Sequence, residues 1–326
     1  MAVISGYLSW EDVLGSWKAR WGIGRMTYIV PPGLYALGDP DEDSPVLVTA
    51  NYKMSYDLVR RAMHRHNVWL MVLETYGINV WCAAGKGTFG TDELVRRIEA
   101  CGVSKVVRHR QLILPTLGAA GVKAIEVVKR TGFAVLFAAL RIEDLPDFIK
   151  NGMVATPKMR ELTFTLKERL ILTPMELLPG MKAQLIVGVP LAILAGFHHG
   201  SFEFYRFMVA FCIAVAAVVC GTVVSPVLLP VLPGRMFAVK GAIVGLTCSA
   251  FFVAALRASH SAVLTELLAL VLIMSTISAF YAMNFTGSTP FTSQSGVRLE
   301  MRRCLPVMAC AGMLGVLLLV VGRFIP

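Results

Sequence analysis

The amino-acid sequence predicts an α/β, Rossmann-like head followed by an all-α membrane domain of five transmembrane helices. Charge is the first observation behind this: residues 1–180 hold 22 Lys/Arg and 18 Asp/Glu, whereas residues 181–326 hold 9 and 3. Patterning is the second, because strand-length apolar runs alternate with helix-length segments in the first half, as in a largely parallel sheet with helices on its faces. The third is a set of long apolar runs in the second half, each near the ~20 residues that cross a ~30 Å hydrocarbon core. With 56% hydrophobic and 16% charged residues, the 326-residue chain is too apolar for a wholly soluble protein, and the composition shift marks a boundary near Gly180.

Residues 1–45 carry Trp10, Trp17 and Trp21, end in the acidic, turn-rich stretch from Gly38 to Pro45, and read as an N-terminal arm packed on the head. The α/β domain spans 46–150. Val46–Ala50 reads as a strand, Tyr56–His66 as a helix, and 69–75 as a second strand. Thr91–Ala100 has a Thr-Asp-Glu helix start and Gly102 as its stop. Residues 105–109 and 111–115 read as strands, Val122–Thr131 as a helix ended by Gly132, and 134–140 as a further strand. In such a sheet ligands bind beyond the carboxyl ends of the strands, where loops 49–53, 76–90 and 114–121 are expected to meet. The juxtamembrane connector, 151–180, alternates apolar residues over 162–172 and reads as a strand pair. The transmembrane domain, 181–326, holds spans at 181–198, 205–225, 237–256, 262–283 and 304–322, the first kinked by Pro190.

Several function classes are excluded. Of the net charge of +10, six charges (9 minus 3) lie in the apolar half, so they report membrane topology rather than a phosphate-binding face, and no nucleic acid partner is expected. Glu11 and Asp12 interrupt the apolar start, so no cleavable signal is read and the head stays in the cytoplasm. Arg235/Lys240 and Arg298/Arg302/Arg303 then fall on the cytoplasmic side of the inner membrane and the C-terminus, with Arg323, outside. None of the seven cysteines forms a Cys-x-x-Cys pair, which argues against a resident ferredoxin-type cluster or zinc ribbon. Glu266 is the one clearly intramembrane ionisable residue, fewer than ion-coupled carriers show. A transporter or sensor with an α/β head stays as the rival from another class.

The stretch from Gly77 to Gly90, "GINVWCAAGKGTFG", lies between a strand and a helix. It is not a Walker loop, because Val80 and Gly87 occupy the positions that need Gly and Ser/Thr, and no dinucleotide fingerprint follows the strand. It offers instead Cys82, followed by Ala83, Ala84 and Gly85, whose small size lets backbone approach a large flat ligand. At the start of a short helix, amides and dipole favour an anionic sulfur. A small buried cysteine is the competing reading.

The string Asn79-Val80-Trp81-Cys82-Ala83-Ala84-Gly85-Lys86-Gly87 resembles the cap-helix signature of the HgcA family, the corrinoid proteins of mercury methylation. A head followed by five spans is also that family's order, so the similarity runs from about Val46 to the C-terminus, and the head is similar to the corrinoid domain of the corrinoid iron–sulfur protein. The resemblance implies a corrinoid of the cobalamin type, bound base-off, with Cys82 as the thiolate that ligates cobalt from below. A thiolate trans to a cobalt-bound methyl donates electrons and favours its departure as a carbanion equivalent, which Hg(II), an electrophile, accepts. The implied activity is a corrinoid-dependent methyltransferase that makes methylmercury. Its implied partners are a methyl-folate donor system, Hg(II), the lipid bilayer, and a ferredoxin-like iron–sulfur protein, HgcB, as reductant. A corrinoid methyl carrier of one-carbon metabolism with another acceptor is the alternative.

Thr49, Asn51 and Tyr52, with Leu114, Pro115, Gly118 and Gly121, lie at predicted strand ends and are candidates to edge the corrin. Lys86 is either a contact to a corrin amide or tail phosphate or a solvated lysine; Trp81 either shields the ligand side or belongs to the core. The Thr/Ser/Gly-rich loop from Asn284 to Val297 either helps form a mercury-entry surface or is solvated. Cys304 and Cys310 either relay a soft cation or are small helix residues.

Overall fold

The computed structural model describes residues 2–161, 163–198, 200–258, 263–288 and 294–322. The chain divides into two compact units, Met1–Leu162 and Thr163–Pro326.

The first unit is built on six strands: β1 (Ala2–Ile4), β2 (Gly33–Leu37), β3 (Val46–Ala50), β4 (Val68–Leu73), β5 (Gln111–Leu114) and β6 (Ala134–Phe137), in the order β1-β2-β4-β3-β5-β6. β4, β3, β5 and β6 are mutually parallel, and β2 joins antiparallel to β4. β3 and β4 are buried along their whole length. This is why they read as continuous apolar runs: a parallel strand covered on both faces has no solvent side. Period-two alternation then assigns the two cores. Val46, Val48, Ala50, Trp69, Met71 and Leu73 enter one, while Leu47, Val68, Leu70 and Val72 enter the other.

The helices of this unit are α1 (Trp10–Arg20), α2 (Lys53–Ala62), α3 (Val80–Lys86), α4 (Thr91–Ala100), α5 (Val103–Val106), α6 (Ala124–Thr131) and α7 (Leu145–Lys150). α3, α4 and α6 cover the first core, and α2 and α7 the second. Residues 1–45 are not a separate arm, because β2 pairs residue for residue with β4 from Gly33↔Val72 to Leu37↔Val68, which makes the segment part of the sheet. Residues 105–109 are no strand: Val103–Val106 turns once as helix and buries Val103, and β5 starts only at Gln111.

Among the described residues, the second unit contains five helices long and apolar enough to cross a membrane: Leu166–Gly196, Phe204–Leu228, Phe237–Ala258, Leu264–Asn284 and Ser295–Val321. The first begins well before residue 181: of the strand pair expected over 162–172, residues 166–172 are helix instead, and residue 162 lies outside the described residues. A capping box starts it: Thr165 Oγ1 accepts from the Glu168 amide at 3.3 Å, and Glu168 accepts from the Thr165 amide at 2.6 Å. π-helical turns at Gln184–Gly188 and Cys220–Val224 directly precede the turns holding Pro190 and Pro226. Proline lacks an amide proton and crowds the carbonyl four residues back, and the wider turn relieves both. The fifth span absorbs Arg298, Arg302 and Arg303 into its first turns. The loop predicted from 284 to 297 is thereby shortened from both sides, and its residues 289–293 lie outside the described residues, as does Arg323. Cys304 lies 3.9 Å from Met236 Sδ, against the buried side chains of Ala238 and Met308.

Candidate functional site

The parallel strands change winding direction between β3 and β5, so the crevice outside their carboxyl ends is the switch point where open α/β sheets bind ligands. Three segments form that edge: 51–53 after β3, 74–90 after β4, and 115–121 after β5.

Asn51 ties the first two together. It is 1% exposed, and its Oδ1 accepts from the Thr75 amide (3.1 Å), Thr75 Oγ1 (2.8 Å) and the Gly77 amide (3.1 Å), while Nδ2 donates to Glu74 Oε1 at 2.6 Å. Glu74 Oε1 also accepts from the Tyr76 amide at 2.8 Å. Tyr76 sits at φ 56°, a region that costs a bulky residue energy, with its side chain 68% exposed. Below, Glu93 of α4 accepts from the Glu74 amide at 2.8 Å and pairs with Arg96 and Arg97. Burial raises its carboxyl pKa, but the Glu74 amide and the two guanidinium groups outweigh burial and hold it below its ordinary value.

A carboxylate whose folded pKa is depressed contributes stability above its unfolded pKa and loses it as pH falls through the lower, folded one. The Glu74 amide is therefore expected to keep its hydrogen-exchange protection at neutral and mildly acid pH and to lose it only below 4.5, the group's ordinary value. The isosteric Glu93→Gln variant, which keeps the acceptor oxygen, should flatten that transition.

α3 is a short helix made by local signals. Asn79 caps it, its Oδ1 accepting from the Cys82 amide at 2.9 Å, and Gly87 ends it at φ 81°, a left-handed cap that suits glycine. Ala83 and Ala84 face the core, so their small size serves packing rather than a ligand. Trp81, Cys82, Gly85 and Lys86 are exposed. The pairs Trp81/Gly85 and Cys82/Lys86, each four residues apart, fall on one face. Cys82 thus presents its sulfur to solvent, flanked by an indole, a position without side chain and an amine.

The other candidates shape the edge from beneath. Thr49 is 2% exposed and shares the side of β3 that Leu47 turns toward α2, the sheet face opposite α3. Tyr52 and Leu114 are buried, and Pro115 caps a single turn, Thr116–Gly118. A Cβ on Gly118 would lie 2.6 Å from the Phe89 ring, and one on Gly121 would collide with the Phe89 carbonyl oxygen and reach Ala84 Cα at 3.0 Å. These glycines seat the 115–121 loop against Phe89 and α3. Val80 is half-buried behind Gly118.

The structure therefore gathers Asn51, Asn79, Val80, Trp81, Cys82, Gly85, Lys86, Gly87, Gly118 and Gly121 at one edge, and turns Thr49, Ala83, Ala84 and Leu114 inward. Sequence reasoning missed Glu74, Thr75, Tyr76, Phe89 and Glu93. The Asn51–Thr75 and Glu74–Glu93 contacts span 24 and 19 residues and carry no local signal.

Over residues 24–139 the chain matches the family model of the CO dehydrogenase/acetyl-CoA synthase delta subunit. It is 37% identical over 128 residues to subunit gamma of the acetyl-CoA decarbonylase/synthase complex of Methanopyrus kandleri, covering 38% of this chain and 27% of that one. The same subunit of Methanocaldococcus jannaschii is 33% identical over 130 residues (39% and 26%), and that of Methanothermobacter thermautotrophicus 30% over 151 (45% and 32%). The chain thus spans 26% to 32% of the length of these relatives. The family match contains all three segments of the edge, together with β2, and ends before the first membrane span.

Proposed function

We propose that the chain is a membrane-anchored corrinoid-dependent methyltransferase that passes a methyl group to inorganic Hg(II), giving methylmercury. The observation that carries the reading is the exposed thiol of Cys82 on the outward face of α3, at the carboxyl edge of the sheet and within the HgcA-like string. Similarity to the acetyl-CoA decarbonylase/synthase subunits supports one-carbon chemistry in the same segments. The residues fit a flat macrocycle with a soft metal: one sulfur donor, Gly85 leaving room beside it, and no histidine among the residues exposed on α3.

When bound, the corrinoid supplies a cobalt that carries the methyl group and releases it with its bonding electrons. Cys82 is the residue that would hold that cobalt through its sulfur, with the cofactor base-off, and would donate electron density to it. Lys86, one turn on, would meet an amide or phosphate at the cofactor's edge, and Trp81 would exclude water from the sulfur. Asn79 holds the backbone of Cys82, and Asn51 holds the loop that leads into α3, so the sulfur is carried on a rigid support. In this reading the partners are a methyl-folate system as methyl donor and a ferredoxin-like protein of the HgcB type as reductant. The head lies on the cytoplasmic side of the inner membrane, the side of Arg235, Lys240 and the Arg298–Arg303 cluster.

Similarity to the gamma subunits favours a second reading, in which the same cofactor site serves a one-carbon carrier with another methyl acceptor. Full-length protein purified anaerobically in detergent and loaded with methylated corrinoid separates the two. Corrinoid absorption bands and methylmercury on addition of Hg(II) support the proposal. Bound corrinoid that methylates a thiol but not Hg(II) supports the second reading. A colourless protein that takes up no corrinoid overturns both.

A further inference from the structure

α1 is amphipathic with its faces inverted. Its inward side is polar: Arg60 bonds Asp12 at 2.8 Å, Lys53 also pairs with it, and Tyr28 Oη donates to the Asp12 carbonyl at 3.1 Å. Gly15 packs against the Tyr28 ring, and Ala19 is 1% exposed. The outward side is apolar. Trp10, Leu14, Trp17 and Trp21 recur at i, i+4, i+7 and i+11, a single stripe, and are 73%, 39%, 65% and 43% exposed. At ~150–250 Å² per large aromatic, the stripe leaves on the order of 300–500 Å² of largely apolar surface in water, as much as a monomer ordinarily shows.

The ion pairs make this orientation a built feature. Rolling α1 to bury the tryptophans would strip Asp12 of Lys53 and Arg60 and place a carboxylate in water while leaving Asp57 with both cations. Charge points to the occupant. Asp12 is neutralised inward, so Lys18, Arg20 and Arg25 against Glu11 give this segment a free charge of three minus one, or +2. Tryptophan is the residue most at home at the boundary between headgroups and acyl chains, and cations beside it meet anionic phosphates. The five spans tether the head to a bilayer, so this contact needs no second molecule to arrive.

We propose that the Trp10–Leu14–Trp17–Trp21 stripe is an interfacial anchor, seated in the headgroup layer of a bilayer containing anionic lipid, with Lys18 at its polar margin. The contact does not depend on the corrinoid reading. It is tested on the full chain in nanodiscs whose lipids carry bromine near the top of the acyl chains. The stripe holds three of the chain's five tryptophans, so brominated lipid is expected to remove up to three-fifths of the emission. The triple variant Trp10→Gln/Trp17→Gln/Trp21→Gln changes exposed side chains only, and its remaining emission from Trp69 and Trp81 should be the same in brominated and plain lipid. Lys18→Glu should lower the quenching in anionic nanodiscs. Equal wild-type emission in brominated and plain lipid overturns the proposal, including the case of blue-shifted emission that bromine leaves untouched, which would mean that a protein surface covers the stripe.

Discussion

Replacing Cys82 with alanine is expected to lower single-turnover methylmercury formation by at least about 100-fold, equivalent to ~2.7 kcal/mol of barrier, while leaving the fold intact. The two halves of the expectation rest on different features. The thiol is exposed, so its removal opens no cavity, and alanine is a better helix former than cysteine. The hydrogen bond that positions residue 82 runs from its backbone amide to Asn79, and it survives the change. What is lost is the sulfur donor alone. A shifted corrinoid absorption spectrum with an unchanged melting curve would mark loss of the ligand rather than loss of structure. Full activity in the variant, with wild-type absorption, would remove Cys82 from the chemistry and with it the proposed mechanism.

The largest effect on stability is expected at Asn51. Asn51→Leu keeps the volume but leaves the amides of Thr75 and Gly77 without an acceptor, in positions where both are buried. At ~1–3 kcal/mol for each stranded donor, the cost is about 2–6 kcal/mol, a large part of the ~5–15 kcal/mol that stabilises a typical domain. Asn51→Asp should not rescue it. The aspartate restores an acceptor toward Thr75 and Gly77 but sets a second carboxylate against Glu74, where Nδ2 now donates at 2.6 Å. Hydrogen exchange on the full chain should show deprotection spreading from 74–79 into α3, with β5 and β6 less affected. Unchanged protection at Thr75 and Gly77 would show that the loop is held by something other than Asn51.

These two residues also show how far the sequence could be read. Cys82 was legible because its surroundings are local: a capping asparagine three residues before it, a terminating glycine five residues after it, and a specific string between. The support given by Asn51 was not legible, because it joins the ends of β3 and β4 across more than twenty residues, and only pairing of the two strands brings them side by side. Thr49 and Leu114 were placed at the correct strand ends, but a strand turns alternate side chains to opposite faces, and the face is decided by what packs there. Gly33–Leu37 is a short apolar run between Pro32 and Gly38 that reads as part of the N-terminal arm rather than as a strand, and its place in the sheet comes from the antiparallel register with β4. The early start of the first membrane span did have a signal, the Thr165-x-x-Glu168 capping box, masked by the alternating residues around it.

The amino-acid sequence by itself determined the division into a charged head and an apolar domain, the central strands, the five spans and the thiol-bearing helix. Each of these depends on composition or on neighbours within a turn or two, where propensity, capping and hydrophobic period act directly. The tertiary structure alone decided which side chains of that helix meet solvent, which glycines are used up in packing, and which residues hold the edge together. Burial and hydrogen-bond partnership are properties of surfaces that come into being only when distant segments close upon one another.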